Sequence, residues 1–151
     1  MQTDPPVITI LTNRRARFEY HVLESIEVGI ALRGTEVKSI RAGKVNLQEA
    51  YAEVSGSQLI LRNMHVSPFE KGNIFNHDPL RARVLLAHRK EIRKLAVKTE
   101  EKGLTLIPLE VYFLGPHVKI LLGVCKGKKL HDKREAIKSR ETTRALRREE
   151  D

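Results

Sequence analysis

Two segments of the chain concentrate side chains that can bind phosphate. Residues 13–17 carry three arginines within five positions, and residues 126–148 carry ten lysines or arginines against three acidic residues. Guanidinium groups form paired hydrogen bonds with phosphates and also stack on nucleobases. The whole chain has a net charge of +9, and each cation docked on a phosphate releases a condensed counterion. A nucleic acid is therefore the expected partner, with a merely solvated turn as the alternative for residues 13–17.

Catalytic or metal-binding chemistry has little support in the residue pattern. No nucleophile is placed beside a base, and the six histidines lack the spacing of a helix-borne metal site. Cys125 is the only cysteine, which excludes an internal disulfide and a cysteine-built zinc site and favours a small buried side chain. We expect no catalysis, no cofactor and no metal. Four carboxylates would be candidates for acid–base chemistry, and the solvent-exposed face of an ordinary strand explains most of them: Glu19, Glu24, Glu27 and Glu36.

Alternating apolar residues predict the strands that must position these groups. Between Phe18 and Leu32 the apolar residues recur at every second position. This pattern predicts a strand with one solvent-exposed face, bent or bulged near Glu24. A final hairpin is predicted around Gly115 and Pro116. The other predicted strands, with the two arms of that hairpin, cover residues 7–11, 51–54, 58–66, 104–113 and 118–125.

A short helix is predicted after the long strand. Gly34 and Thr35 offer an N-cap, Val37 and Ile40 lie three residues apart, and Gly43 can end the helix in the left-handed conformation. This helix is expected to display three cations outward: Lys38, Arg41 and Lys44.

A longer amphipathic helix is predicted at residues 88–102. Ile92, Leu95 and Ala96 have helical spacing, and Gly103 follows the last turn. Several short strands with one or two helices indicate a small antiparallel barrel capped by helices.

The composition changes at Lys126, where a basic tail begins. Few residues beyond Leu130 are apolar, and they do not form a stripe wide enough to hold a helix on the body. Their types are good helix formers, so we expect a tail that is disordered when free and helical on its partner. Three segments are predicted: a flexible N-terminus at residues 1–6, a barrel domain at residues 7–125 and the tail at residues 126–151.

Three separated motifs, in this order, resemble the SsrA-binding protein family, also called small protein B. They are NRRAR at residues 13–17, GTEVKS with RAGK at residues 34–44, and KGKK with DKR at residues 126–134. The resemblance extends from about residue 7 to residue 148. It implies a mainly β fold: an oligonucleotide-binding (OB) type of antiparallel barrel with two or three added helices and a basic C-terminal tail.

The resemblance implies a factor for ribosome rescue rather than an enzyme. Such a protein binds the tRNA-like domain of transfer-messenger RNA (tmRNA) and brings it, with elongation factor Tu and GTP, to ribosomes stalled on non-stop messages. Its tail enters the empty messenger channel beyond the decoding centre of the 70S ribosome and becomes helical there. Alanyl-tRNA synthetase charges the RNA and meets the protein only through it.

The expected setting is the cytoplasm, where the protein would act as a monomer with no membrane partner. Two alternatives stay open. One is a general ribosome-associated RNA-binding protein with the same barrel, and the other is a metal-independent nuclease or RNA-modifying enzyme.

By motif alignment, the resemblance implies two sets of RNA-contacting residues. Cations would neutralise phosphates, Tyr20 and Leu86 would pack against bases or sugars, and Glu27 would accept a hydrogen bond from a base or ribose, or else orient a cation. His131 in the tail would stack on a base or bond a phosphate. Phe18 stands where the family commonly has histidine, so that position keeps at most a stacking role. The tmRNA-binding set is Asn13, Arg14, Arg15, Arg17, Tyr20, Glu27, Lys38, Arg41, Lys44, Leu86 and Lys119. The ribosome-binding set is Lys126, Lys128, Lys129, His131, Asp132, Lys133, Arg134, Ile137, Lys138 and Arg140.

Overall fold

The computed structural model describes residues 5–70 and 76–128 of the chain. Over these residues the elements follow in the order β1 (Val7–Thr12), α1 (Arg14–Glu19), β2 (Tyr20–Ile30), α2 (Gly34–Arg41), β3 (Val45–Asn46), β4 (Tyr51–Ser55), β5 (Gln58–Arg62), β6 (His65–Val66), β7 (Arg83–Leu86), α3 (Arg89–Glu100), β8 (Thr105–Leu114) and β9 (His117–Gly127). No helix among the described residues is long and apolar enough to cross a membrane.

The strands close into an antiparallel barrel. Its order is β4-β5-β7-β2-β9-β8, and the ring closes where Ala52 of β4 pairs with Leu106 of β8. The same edge of β8 is paired further along by β1, from Val7 opposite Leu114 to Thr12 opposite Glu110. The predicted mainly β, OB-like antiparallel barrel with added helices is therefore confirmed, with three helices among the described residues.

Alternation along the strands fills the barrel with aliphatic side chains. In β5, Leu59 and Leu61 are fully buried while Ile60 between them is only half-buried. Both helices predicted from the sequence add to this core: α2 contributes Ile40, and α3 contributes Ile92 and Leu95. The apolar stripe of each helix thus matches the face that it buries.

Several local predictions are confirmed. The register of β2 against β9 shifts between Val22 and Glu24, which is the predicted bulge. Gly43 and Gly103, which follow α2 and α3, both have positive φ, as glycine permits at a helix C-terminus. Cys125 is fully buried, and this burial raises the pKa of its thiol to about 11.

The strand prediction is wrong at four places, the first of which is β3, a two-residue strand that was not predicted. Phe18 belongs to helix α1 rather than to the start of β2. The predicted strand at residues 58–66 is two strands, because Asn63 adopts a left-handed φ of 61° and sends β6 out of the barrel to pair with β3. Strand β7, which joins β5 to β2, was not predicted. The residue at the N-cap of α2 is Arg33 rather than Gly34 or Thr35.

One of the four glutamates considered for acid–base chemistry is buried in an ion pair. Glu36 lies in α2, fully buried, and accepts hydrogen bonds from Arg81 Nη2 at 2.6 Å and from the equally buried Arg83 Nε. Its Oε1 also accepts from the backbone N–H of Arg33 at 2.8 Å. Arg83 Nη1 donates to the carbonyl of Met64 at 2.6 Å. This ion pair ties α2 to β7.

We expect Gly123→Ala to lower the free energy of unfolding by about 1–3 kcal/mol, the usual cost of overpacking a core. A Cβ at Gly123 of β9 would lie 2.8 Å from Leu109 Cδ1 and 3.1 Å from Cys125 Sγ, and both of these side chains are buried. Urea unfolding followed by circular dichroism measures the change. Gly127→Ala in the same strand is the control, because a Cβ there meets nothing within 4 Å. Equal losses in the two variants would contradict the packing argument.

Candidate nucleic-acid interface

A cleft of about 380 Å³ brings together three predicted RNA-binding residues from distant parts of the sequence: Glu27, Leu86 and Lys119. They meet because Gly29 of β2 pairs with Leu86 of β7 on one side and with Lys119 of β9 on the other. A Cβ at Gly29 would lie 3.2 Å from Leu86 Cβ, so glycine allows Leu86 to lie close across the strand. Leu86 is 56% exposed. The cleft therefore offers an apolar surface flanked by a cation and a carboxylate.

The carboxylate of Glu27 is held in place by a residue that the motif alignment did not include. Tyr112 of β8 is buried and donates its hydroxyl proton to Glu27 Oε2. Burial and then the Glu27 carboxylate raise the pKa of Tyr112, so the hydroxyl stays protonated and keeps donating. Tyr112 and Lys119 are cross-strand partners in the β8–β9 hairpin. Counting outward from the predicted turn would have placed Tyr112 beside Lys119.

Helix α1 carries a second group of predicted residues. Asn13 is its N-cap: the side-chain Oδ1 accepts from Ala16 N–H at 3.2 Å, and Nδ2 donates to the carbonyl of Pro108 at 2.9 Å. Ala16 packs into a small apolar cluster under the helix. The arginines are left on the outside, where all three are exposed: Arg14, Arg15 and Arg17.

The three arginines do not have equal surroundings. Arg15 is ion-paired with Glu19 at 3.1 Å and with Glu49 at 3.3 Å, and the hydrogen bond that Arg15 donates to Glu19 is the main reason that the pKa of Arg15 is raised. Arg15 and Tyr20 also line a groove of about 320 Å³. Within residues 5–70 and 76–128, Arg14 and Arg17 form no ion pair, so no carboxylate competes with a polyanion for their guanidinium groups.

The start of the basic segment is fixed to this same helix. Strand β9 runs through Lys126 to Gly127, where Gly127 pairs with Tyr20. Lys128 then donates its backbone N–H to the carbonyl of Glu19 at 2.9 Å and its Nζ to the carbonyl of Arg17 at 3.2 Å. The chain therefore leaves the barrel beside α1. The rest of the predicted ribosome-binding set, from Lys129 to Arg140, and the prediction about tail disorder and helix formation lie outside the described residues.

The three cations of the GTEVKS and RAGK motifs form a third group, on and after α2. All are exposed, as predicted. Lys38 Nζ lies 5.3 Å from the centre of the Phe69 ring, Arg41 lies 4.5 Å from that of Phe113, and Lys44 Nζ lies 3.6 Å from Glu70 Oε1. Their charged groups are therefore positioned by aromatic and acidic neighbours while the side chains stay exposed.

The groups around α1 and around the Glu27 cleft are two separate surfaces. Tyr20 and Glu27 lie seven residues apart along β2, which corresponds to roughly 20 Å of strand. Two of the three groups of the predicted tmRNA-binding set thus lie at different positions along one strand. A single nucleotide cannot touch both surfaces, whereas a folded RNA or two different RNAs can.

Comparison with known proteins identifies the family. A family model described as SmpB protein matches residues 10–151. The SsrA-binding protein of Pelotomaculum thermopropionicum is 56% identical over 140 residues, covering 93% of this chain and 92% of the relative. That of Carboxydothermus hydrogenoformans is 55% identical over 137 residues, covering 91% and 92%. A chain of the solved structure "tmRNA-SmpB: a journey to the center of the bacterial ribosome" superposes with a TM-score of 0.69 at 50% identity, covering 84% of this chain and 93% of that chain. With its barrel, its motifs and its sequence all in agreement, this chain belongs to the SmpB family of SsrA-binding proteins.

Proposed function

We propose that this protein is a tmRNA-binding adaptor of trans-translation. It binds the tRNA-like domain of tmRNA and works with that RNA on the ribosome. The observation that carries the proposal is the convergence of Glu27, Leu86 and Lys119 on one cleft in a chain whose relatives are SsrA-binding proteins and whose structural neighbour is a tmRNA–SmpB complex.

The chemistry of the cleft suits an unstacked region of a folded RNA. The Lys119 ammonium neutralises a phosphate, while the exposed face of Leu86 packs against a base or sugar. Glu27, fixed by the Tyr112 hydroxyl, accepts a hydrogen bond from a base amino group or a ribose 2′-hydroxyl. The sequence left open that Glu27 orients a neighbouring cation; the hydrogen bond from Tyr112 instead gives Glu27 a neighbour that orients it.

The α1 surface supplies the second contact. Asn13 acts there as a positioning residue, since its side-chain atoms are used inside the protein. Arg14 and Arg17 bind phosphates directly. Because Lys128 at the end of the barrel contacts Arg17, the ribosome-binding tail begins beside the α1 surface, and Lys38, Arg41 and Lys44 add further positive charge for RNA.

The finer steps of the proposed function follow the family resemblance. The protein delivers tmRNA to stalled ribosomes with elongation factor Tu and GTP, and places the tail in the empty messenger channel. It meets elongation factor Tu and alanyl-tRNA synthetase only through the RNA. It works in the cytoplasm as a monomer and catalyses no reaction.

A competition experiment tests the proposed function against a general ribosome-associated role. Labelled tRNA-like domain of tmRNA is bound to the full-length protein at about 150 mM salt, where charges more than about 8 Å apart are screened. Unlabelled domain should displace it at far lower concentration than bulk tRNA. Equal displacement by the two would favour a general RNA-binding protein.

Lys119→Ala is expected to weaken binding to the tRNA-like domain by about tenfold to a hundredfold, because a hydrogen bond to a charged group contributes about 1.5–3 kcal/mol. It should also make the slope of log K against log salt shallower by nearly one, as one phosphate contact is lost. Filter binding at several salt concentrations measures both. Lys102→Ala is the matched control, since Lys102 is exposed just beyond the far end of α3. Equal effects of the two substitutions would mean that only overall charge matters.

A further inference from the structure

A third recess lies on the side of the barrel where the β3–β6 ribbon meets the turn before β7. This recess, of about 300 Å³, is lined by Asn46, Gln48, Glu49, Asn63, His65 and Leu80, and we call it the Leu80 cleft. None of its lining residues belongs to the RNA-binding sets above. Asn46 and His65 are cross-strand partners in the ribbon, so an amide and an imidazole stand side by side at its base.

The leucine of this cleft is displayed by a turn that the fold holds firmly. Leu80 is 55% exposed, yet its backbone N–H donates to Asp78 Oδ1 at 2.9 Å. The preceding carbonyl, of Pro79, accepts from Val66 N–H at 3.0 Å and from the buried Arg83 at 3.3 Å. The exposed apolar surface is therefore preorganised. Covering it with a ligand removes apolar area from water without ordering the turn.

The polar groups of the cleft are also fixed by backbone features. Asn63 has a left-handed φ of 61°, a conformation that is uncommon outside glycine and recurs at functional sites. Asn46 Oδ1 accepts from Gln48 N–H at 2.7 Å, which leaves the amide nitrogen of Asn46 to donate to a ligand. Amide donors and acceptors beside an imidazole and an apolar side chain are the means by which proteins bind unstacked bases.

The Leu80 cleft continues into the α1 surface. Gln48, Glu49 and Asn63 line both this cleft and the groove that contains Arg15 and Tyr20. Glu49, which lies between the two, is itself paired with Arg15 at 3.3 Å. A single-stranded segment of RNA that follows the groove from Arg15 therefore arrives at Leu80.

We propose that the Leu80 cleft binds one unpaired nucleotide of RNA. The base packs between Leu80 and the His65 imidazole, and the amides of Asn46, Gln48 and Asn63 form hydrogen bonds with its edge. This inference rests on the proposed function in that it takes the protein to bind RNA, and it extends the contact beyond the motif residues. The nucleotide comes from tmRNA or from ribosomal RNA, which present the same chemistry.

Leu80→Ala tests the packing of the base. The variant should bind one of the two RNA partners, the isolated tRNA-like domain or the 70S ribosome, about 5- to 100-fold more weakly, because the apolar contact between the leucine side chain and the base is lost. The slope of log K against log salt should stay unchanged, since no charge is removed. Leu23→Ala is the matched control: Leu23 is 57% exposed and lines none of the clefts described above. Weaker binding of Leu80→Ala to the tRNA-like domain would assign the nucleotide to tmRNA. Weaker binding only to ribosomes would assign it to ribosomal RNA. Wild-type affinity of Leu80→Ala for both partners would overturn the proposal.

A cross-linking experiment identifies what occupies the cleft. Leu80→Cys can be labelled selectively with a benzophenone maleimide, because Cys125, the only native cysteine, is fully buried. Irradiation should join residue 80 to a single unpaired nucleotide. Cross-links only to a ribosomal protein would overturn the proposal. If tmRNA did not compete better than bulk tRNA for the protein, the proposed function would be wrong. A cross-link from residue 80 to ribosomal RNA would then still support nucleotide binding in the Leu80 cleft.

Discussion

Replacing Glu36 by glutamine is expected to lower the free energy of unfolding by about 3–5 kcal/mol, because it leaves buried guanidinium charge without its counter-charge. Both Glu36 and Arg83 are fully buried, and Arg81 donates to the same carboxylate at 2.6 Å. The free energy of unfolding of a typical domain is only about 5–15 kcal/mol. Urea unfolding of Glu36→Gln should therefore show a midpoint far below that of the wild type.

The same carboxylate predicts a pH dependence. Burial opposes ionisation of Glu36, but hydrogen bonds from Arg81, from the Arg33 backbone N–H and from Arg83 outweigh it, and the pKa of Glu36 is lowered. Since the pKa is lower in the folded than in the unfolded state, the stabilisation is complete above the unfolded value of about 4.3 and is lost as the pH falls through the folded value. Wild-type stability should drop below about pH 4.5, and Glu36→Gln should lack this part of the drop.

Glu53→Gln is the control for the loss of a carboxylate. Glu53 also pairs with an arginine, Arg62, but the two side chains are 41% and 42% exposed. Because water screens such a pair, Glu53→Gln should lower the free energy of unfolding by less than about 1 kcal/mol. If Glu36→Gln and Glu53→Gln cost the same, the buried ion pair would not be the link between α2 and β7 that its geometry indicates.

Periodicity predicted those elements whose apolar residues face one core. The β8–β9 hairpin and α3 each bury a regular face, so spacing alone located them. The bulge in β2 was also predictable, since the alternation breaks at Glu24 and the register shifts there.

The errors arose where one residue's backbone or side chain overrides the pattern. The apolar alternation continues through Asn63, but its left-handed φ turns the chain out of the barrel. Helix α1 has six residues, too few for a helical period to be visible, and it depends on Asn13 bonding to Pro108 in a distant strand. No local signal could reveal that partner.

The residues of the candidate site could be predicted from the sequence, but which of them lie together in space could not. Motif alignment named Glu27, Leu86 and Lys119, yet only the strand register around Gly29 brings them together. Tyr112 was missed because it precedes the hairpin turn and resembles any core aromatic in sequence. The Leu80 cleft combines a ribbon and a turn whose connection is tertiary, so it carries no sequence motif.

Deleting every residue after Leu130 is expected to abolish peptide tagging on stalled ribosomes while changing affinity for the tRNA-like domain by no more than about two- to threefold, as for a surface change of about 0.5 kcal/mol. The Glu27 cleft and the α1 arginines lie entirely within the retained residues. Lys128, which is retained, still anchors the end of β9 to Glu19 and Arg17. The deletion removes most of the tail's cations, including Lys133, Arg134 and Arg140. Filter binding at about 150 mM salt and an in vitro tagging assay measure the two effects separately, because long-range attraction is screened at that salt.

A shuffled tail separates charge from sequence. A variant that keeps the composition of residues 131–151 but permutes their order retains the same net charge, so it preserves non-specific attraction to RNA. If the tail acts by presenting particular side chains to the ribosome, the shuffled variant should bind the tRNA-like domain normally and still fail to tag. Normal tagging by the shuffled variant would mean that the tail acts only through its net charge. Loss of tmRNA binding together with tagging in the truncated protein, at an unchanged free energy of unfolding, would place part of the tmRNA site beyond Leu130 and contradict the division between barrel and tail.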